Sequence, residues 1–153
     1  MVKLMVMIVI CLKDLNLKGK DKMVRMFLLF SHTLTEAQKE EAAVRFKIDE
    51  FIKLPDKLQD MWSHVPPEGD IPEEYLNEIV KFVSDSKAEK NYALIEGEYG
   101  LVYIMVRWCM KNNIVPIYAA TERVYKSCDN GDGSITGTHI FRHVAFRLYK
   151  DIY

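Results

Sequence analysis

The chain has 153 residues, of which 49% are apolar and 28% charged, and its formal net charge is −1. This length and balance are typical of one globular domain whose core is large enough to fold without disulfides or a structural metal. A net charge near zero argues against binding of long nucleic acid, although a small anionic ligand needs only a local basic patch. The chain has three cysteines, an odd number without metal-ligand spacing, and this favours the reducing cytoplasm.

The first 22 residues differ in composition from the rest of the chain. An apolar run over residues 4–12 is too short to span a bilayer and is followed by Lys13 and Asp14 rather than by a signal-peptide cleavage site. We therefore predict no membrane association. We interpret residues 1–22 as an N-terminal extension, which a start site assigned too far upstream would explain, and residues 23–153 as a single domain. An extra edge strand is the alternative for the extension.

The first half of the domain alternates between strand and helix patterns. Residues 26–30 form an unbroken apolar run, which indicates a strand buried on both faces, as in a parallel sheet. Thr35 and Gln38 have the spacing of a capping box, which predicts a helix from Thr35 to about Phe46. A second strand over residues 50–54 ends at Pro55, and residues 56–62 have the pattern of one or two helical turns.

The second half continues the alternation and then changes character. We predict a helix starting at Pro72, a strand over 92–95, a helix over 101–112 and a strand over 114–118, in which Pro116 favours a sheet edge. This order indicates an α/β fold with a mostly parallel sheet flanked by helices. The turn signal at residues 129–133 predicts a C-terminal β-hairpin between residues 123–128 and 135–149.

Period-two alternation along the last strand separates two faces. His143 falls on one face, and Arg142 falls on the other, among the apolar Ile140, Val144 and Phe146. A buried arginine requires a partner, so the sequence predicts either an acidic side chain or a bound phosphate beside Arg142.

Ligands of open parallel sheets bind beyond the carboxyl ends of the strands. This rule selects the segments 31–33, 96–100 and 119–123. Backbone amides near Gly97 and Gly100 could hold a phosphate at the following helix, although the negative charges of Glu96 and Glu98 oppose it. A tight structural turn is the alternative.

Two aromatic side chains are candidates with a structural alternative. His32 follows the first strand beside Ser31 and can transfer protons near neutral pH, but a lone histidine is more often solvent-facing or capping. Trp62 could stack on a base, although such a residue more often covers the core. Residues 128–139 imitate a calcium loop, but Cys128 and His139 stand where carboxylates are required, so we reject calcium. The four histidines form no metal-binding pattern either, and we predict no metal.

Several segments together resemble a known family. They are MFLLFSHTLTE at 26–36, Leu54-Pro55 with Trp62-Ser-His-Val-Pro66, and Glu96-Gly-Glu-Tyr-Gly100. Thr121-Glu-Arg-Val124 and Phe141-Arg-His-Val-Ala-Phe-Arg147 complete the set. The chain resembles small stand-alone CRISPR-associated ring nucleases of the Csx type over residues 26–149. That resemblance implies a Rossmann-like fold related to the CARF domains of type III systems.

The resemblance also implies a function. It is the binding and metal-independent opening of cyclic tetra-adenylate by a cofactor-free homodimer, through attack of a ribose 2′-hydroxyl on the adjacent phosphorus. His32 and Ser31 are then the expected catalytic residues. The expected ligand-binding residues are Gly97, Tyr99, Gly100, Thr121, Arg123, Arg142, His143 and Trp62. A non-catalytic sponge or sensor of the same ligand remains an alternative, as does an interaction module whose C-terminal hairpin pairs with a partner.

Overall fold

The computed structural model describes residues 22–151. The interpretation of residues 1–22 as an extension lies outside these residues, apart from Lys22. This part of the chain contains five strands and four helices. Numbered in chain order, they are β1 Val24–Leu29, α1 Glu36–Glu41 continued by a π-helical turn Ala42–Phe46, β2 Glu50–Lys53, α2 Asp56–Ser63, α3 Glu73–Asp85, β3 Lys90–Ile95, α4 Tyr99–Lys111, β4 Val115–Asp129 and β5 Ile135–Leu148.

The strands form one sheet in the order β2-β1-β3-β4-β5. The first four strands are parallel, and β5 pairs antiparallel with β4. The prediction of an α/β fold with a mostly parallel sheet, flanking helices and a C-terminal hairpin is therefore confirmed. Among residues 22–151, no helix is both long enough and apolar enough to cross a membrane.

The sheet separates two apolar clusters. Phe27 and Leu29 of β1 face α2, α3 and α4, whereas Met26 and Leu28 face α1 and its π-helical turn. All four side chains are buried, as the unbroken apolar run predicts. The capping box of α1 is also present, with the Gln38 amide donating to the Thr35 hydroxyl at 3.3 Å.

Two predictions about the fourth strand are wrong. β4 lies between β3 and β5, so Pro116 does not mark an edge. The Pro116 carbonyl accepts a hydrogen bond from the Tyr149 amide at 3.0 Å, so the missing N–H of Pro116 faces the end of β5. The β4–β5 ladder ends there, and a proline is tolerated at that position. The predicted strand end at residue 118 is also wrong, because β4 continues through residues 119–123 to Asp129.

The long β4–β5 hairpin extends well beyond the rest of the sheet. β3 pairs with β4 only up to Ile117, and from there β4 pairs with β5 alone. The turn contains Gly131 and Gly133 at positive φ, the conformation that the turn signal predicts. We call residues 121–143 the arm.

Candidate functional site

A cleft of about 360 Å³ lies beside the carboxyl ends of β1 and β2. Its floor is apolar and consists of Leu28, Phe30, Leu34 and Phe51. Alternation along the two paired strands places these side chains on the side of the sheet that α1 covers. The volume is at the lower end of small-molecule sites, which are about 300–1,000 Å³ and mostly apolar.

The rim of this cleft is polar and basic. It is formed by Ser31, His32, Thr33, Lys39, Lys53 and Gln59. Lys53 is the last residue of β2 and stands opposite Leu28, so its side chain shares the cleft side of the sheet. Lys39 is partly neutralised by Glu36 at 2.7 Å. No acidic side chain among residues 22–151 forms an ion pair with Lys53. The rim therefore favours an anion over a cation.

His32 and Ser31, the two predicted catalytic residues, both lie on this rim. The His32 ring is exposed and meets the Phe30 ring edge-on, with 6.4 Å between ring centroids. The Ser31 and Ser63 hydroxyls are 3.0 Å apart, and Gln59 donates to both the Phe30 carbonyl and the Ser63 hydroxyl at 3.1 Å. These bonds hold α2 over the end of β1 and leave the imidazole free to meet a ligand.

The crevice between the ends of β1 and β3, where open sheets usually bind ligands, is filled by the protein itself. Trp62 is 1% exposed, and its Nε1 donates to the Glu96 carbonyl at 3.0 Å. A Cβ at Gly97 would lie 3.0 Å from that Nε1, so Gly97 permits the close approach of the indole. Trp62 is therefore a core residue in this structure, and its ring faces are not open to a base.

The predicted phosphate site at the start of α4 is also occupied. The Glu98 side chain caps the helix and accepts from the Leu101 amide at 2.8 Å. Hydrogen bonds from the Gly100 and Leu101 amides hold the pKa of Glu98 below its usual value. A fixed carboxylate on these amides excludes a phosphate, and Tyr99 beside it points to solvent.

The remaining predicted ligand residues, Thr121, Arg123, Arg142 and His143, belong to the arm and not to the cleft. Arg142 is the clearest correction. Its side chain is 70% exposed and pairs with Glu122 at 2.6 Å, so it is not buried and has the acidic partner rather than a phosphate.

A bulge in β5 explains why the face assignment is wrong. Ala145 stands opposite Ala120 and His143 stands opposite Thr121, which leaves Val144 without a partner across the ladder. The extra residue shifts the alternation, so His143 and Phe146 share one side of the sheet, with ring centroids 4.8 Å apart.

His143 takes part in a buried network with α1. Its side chain is 7% exposed, and its Nε2 lies 2.8 Å from Glu41 Oε2. The Phe146 amide also donates to Glu41, and Arg45 joins Glu41 to the Phe146 carbonyl. This network ties β5 to α1 where the α-helix changes to a π-helical turn, and it is structural rather than part of the cleft.

The network makes stability depend on Glu41. Burial by itself would raise the pKa of Glu41, but hydrogen bonds from His143, Arg45 and the Phe146 amide outweigh it and lower the pKa below its ordinary 4.5. A carboxyl group whose pKa is lower in the folded state stabilises the fold at pH values above its unfolded-state pKa. This stabilisation is lost as the pH falls through the folded-state pKa. We expect Glu41→Ala to cost about 1–3 kcal/mol at pH 7, because it leaves buried donors without an acceptor.

Urea unfolding at pH 7 and at decreasing pH below 4.5 measures both effects. The difference between wild type and Glu41→Ala should shrink as the pH falls. The exposed neighbour Glu40, replaced by alanine, serves as the control and should change stability little. A difference that stays constant with pH would contradict the assignment.

The structure adds three rim residues that sequence reasoning missed, Lys39, Lys53 and Gln59. The carboxyl-end rule applied to the second strand would have found Lys53, because it is the last residue before Leu54 and Pro55. Lys39 and Gln59 depend on how α1 and α2 pack against the sheet, and no local signal marks them. Within residues 22–151 no group of three metal-ligating side chains comes together.

A family model described as the "Uncharacterized protein MJ1673 family" matches residues 24–147 of the chain. The chain belongs to this family. The "Uncharacterized protein MJ1673" of Methanocaldococcus jannaschii is 42% identical over 128 residues, which cover 84% of this chain and 98% of the relative. The MJ1673 family match includes both the cleft and the arm. No solved structure matches the chain.

Proposed function

We propose that this protein binds cyclic tetra-adenylate through the cleft between β1, β2 and α1, and opens the ring. The rim of the cleft supports this most. His32 and Lys53 lie there, above an apolar floor that includes Phe30 and Phe51. Lys53 has no acidic partner among residues 22–151. Such a floor suits a base, and such a rim suits the phosphate next to it. The cleft has room for one part of the ring, and a two-fold symmetric ring suits a homodimer.

The proposed reaction needs no metal and no cofactor. The ribose 2′-oxygen attacks the adjacent phosphorus, the bond from phosphorus to the 5′-oxygen breaks, and a 2′,3′-cyclic phosphate and a 5′-hydroxyl result. His32 accepts the 2′-hydroxyl proton or donates a proton to the 5′-oxygen, and water completes the other transfer. Lys53 stabilises the charge that develops on the phosphoryl oxygens.

A non-catalytic sponge or sensor of the same ligand is the second candidate. It is favoured by the isolation of His32, because no carboxylate among the described residues is hydrogen-bonded to its ring. Catalytic histidines are usually oriented by such a group. In either case we place the protein in the cytoplasm, where free thiols such as those of Cys109 and Cys128 persist. We propose no membrane partner, and a net charge of −1 argues against a long nucleic acid partner.

A single-turnover assay with radiolabelled cyclic tetra-adenylate, with and without EDTA, separates these functions. We expect linear products at the same rate in both samples. Binding without products would favour the sponge or sensor, and loss of cleavage in EDTA with rescue by manganese or magnesium would contradict the metal-free reaction. Failure to bind the ligand would overturn the proposal itself.

The same preparation tests the rim through Lys53→Ala. We expect Kd to rise about tenfold or more, because a hydrogen bond to a charged group contributes about 1.5–3 kcal/mol and 1.4 kcal/mol corresponds to tenfold. Lys57→Ala is the matched control, since Lys57 lies on α2 outside the cleft and pairs with Glu78 at 2.7 Å. Equal affinities of the two variants would remove Lys53 from the ligand site.

A further inference from the structure

The arm has apolar side chains that nothing else in the described structure covers. Phe141, Tyr125 and Ile135 are 66%, 60% and 71% exposed. A two-stranded ribbon is only marginally stable in water, and soluble monomers seldom expose several large apolar side chains on one surface. The arm is therefore a candidate interaction surface.

These three side chains share one face of the ribbon. In an antiparallel pair, directly opposite residues point to the same face, and every second pair along the ribbon returns to that face. We call this surface the arm face. Its first pair, Thr121 with His143, lies against α1, where His143 contacts Glu41. From there to the tip, the other pairs are Arg123 with Phe141, Tyr125 with His139, Ser127 with Gly137, and Asp129 with Ile135.

The arm face is complementary to itself when it is turned end over end. A two-fold axis placed between the Tyr125–His139 pair and the Ser127–Gly137 pair exchanges base and tip, and keeps β4 against β4 and β5 against β5. Arg123 then meets Asp129 of the partner subunit, and Phe141 meets Ile135 of the partner subunit. Each Tyr125 ring lies over Gly137 of its own arm and beside His139. The aromatic rings of both subunits therefore meet at the centre of this arrangement.

We propose that two copies of this chain dimerise by packing their arm faces together, antiparallel, about this axis. The charge order identifies a second copy as the occupant, because a basic base and an acidic tip attract only in the antiparallel arrangement. The inference concerns the arm alone and does not rest on the ligand proposed for the cleft.

Charge reversal at the two ends tests the arrangement by sedimentation of the full chain. Wild type is expected to dimerise reversibly. Arg123→Glu places two acidic groups at each end of the interface, and Asp129→Arg places two basic groups there. We expect each variant to raise the dimer dissociation constant at least about tenfold.

An equimolar mixture of the two variants is the decisive sample. In a mixed dimer the opposite charges meet again at both ends, so dimers should return. Lys126→Glu, on the opposite face of the same strand, should leave the dissociation constant unchanged. Asp129→Asn retains an acceptor for the Gly131 amide and shows whether loss of that turn contact alone matters.

Circular dichroism confirms that each variant is folded. Should a charge variant fail to fold, Phe141→Ser, which removes an exposed ring, takes its place and is expected to weaken the dimer to a similar extent. A wild-type chain that stays monomeric at its highest soluble concentration would overturn the proposal and leave the arm to a different protein. Two other results would also overturn it. One is a dimer dissociation constant that neither folded Arg123→Glu nor Phe141→Ser changes, and the other is an equimolar mixture of the folded charge variants that stays monomeric.

Discussion

Replacing His32 with alanine is expected to slow ring opening about 10²-fold or more and to change Kd little. A positioned acid–base group contributes about 10²–10⁴-fold to a rate, and we propose the His32 imidazole, which lies on the cleft rim, as that group. Its ring is exposed and packs only edge-on against Phe30. The cost in stability should therefore be small, and a loss of rate would report on chemistry.

The chain offers a matched control in His64→Ala. His64 is also exposed, lies at the end of α2 outside the cleft, and pairs with Asp60 at 3.0 Å. Rate, Kd and melting temperature are measured on the same preparations of both variants. An unchanged single-turnover rate at saturating His32→Ala enzyme would remove His32 from the mechanism, and rim charge and ligand geometry would then have to account for cleavage.

The largest loss of stability is expected from Trp62→Ala. Deleting a fully buried tryptophan costs about 3–5 kcal/mol, because the removed atoms lose their burial and the remaining cavity relaxes only in part. For a chain of this size the melting temperature should fall by about 10 °C. The Glu96 carbonyl also loses its donor.

Two further variants separate the causes. Trp108→Ala removes a half-buried indole and should cost clearly less, and Trp62→Phe keeps most of the bulk and should cost about 1 kcal/mol for the lost hydrogen bond. Ligand binding by folded Trp62→Ala decides the alternative role. Weakened binding with little loss of stability would mean that the indole faces the ligand.

Much of the fold was predictable because its signals are local. The unbroken apolar run of β1 indicates burial on both faces, and the Thr35–Gln38 spacing indicates a capped helix start. The glycines at 131 and 133 indicate the hairpin. Each signal depends on neighbours within a few residues, whose backbone geometry is the same whatever else surrounds them.

The candidate site was only partly predictable. The rule that ligands bind at carboxyl ends of strands selected Ser31 and His32, which the structure places on the rim of the cleft. The same rule also selected residues 96–100, and there it failed. The protein's own Trp62 and Glu98 occupy the positions that a base and a phosphate would take.

The sequence by itself determined the order of strands and helices, the parallel sheet and the hairpin, because periodicity and turn chemistry act along the chain. Only the tertiary structure decided which side chains face a ligand, the core or water. Arg142 is exposed because the bulge at Val144 and the length of β4 carry it onto the arm, and Lys53 reaches the cleft because β2 lies beside β1. Exposure depends on what packs against a residue from distant parts of the chain, and no local pattern contains that information.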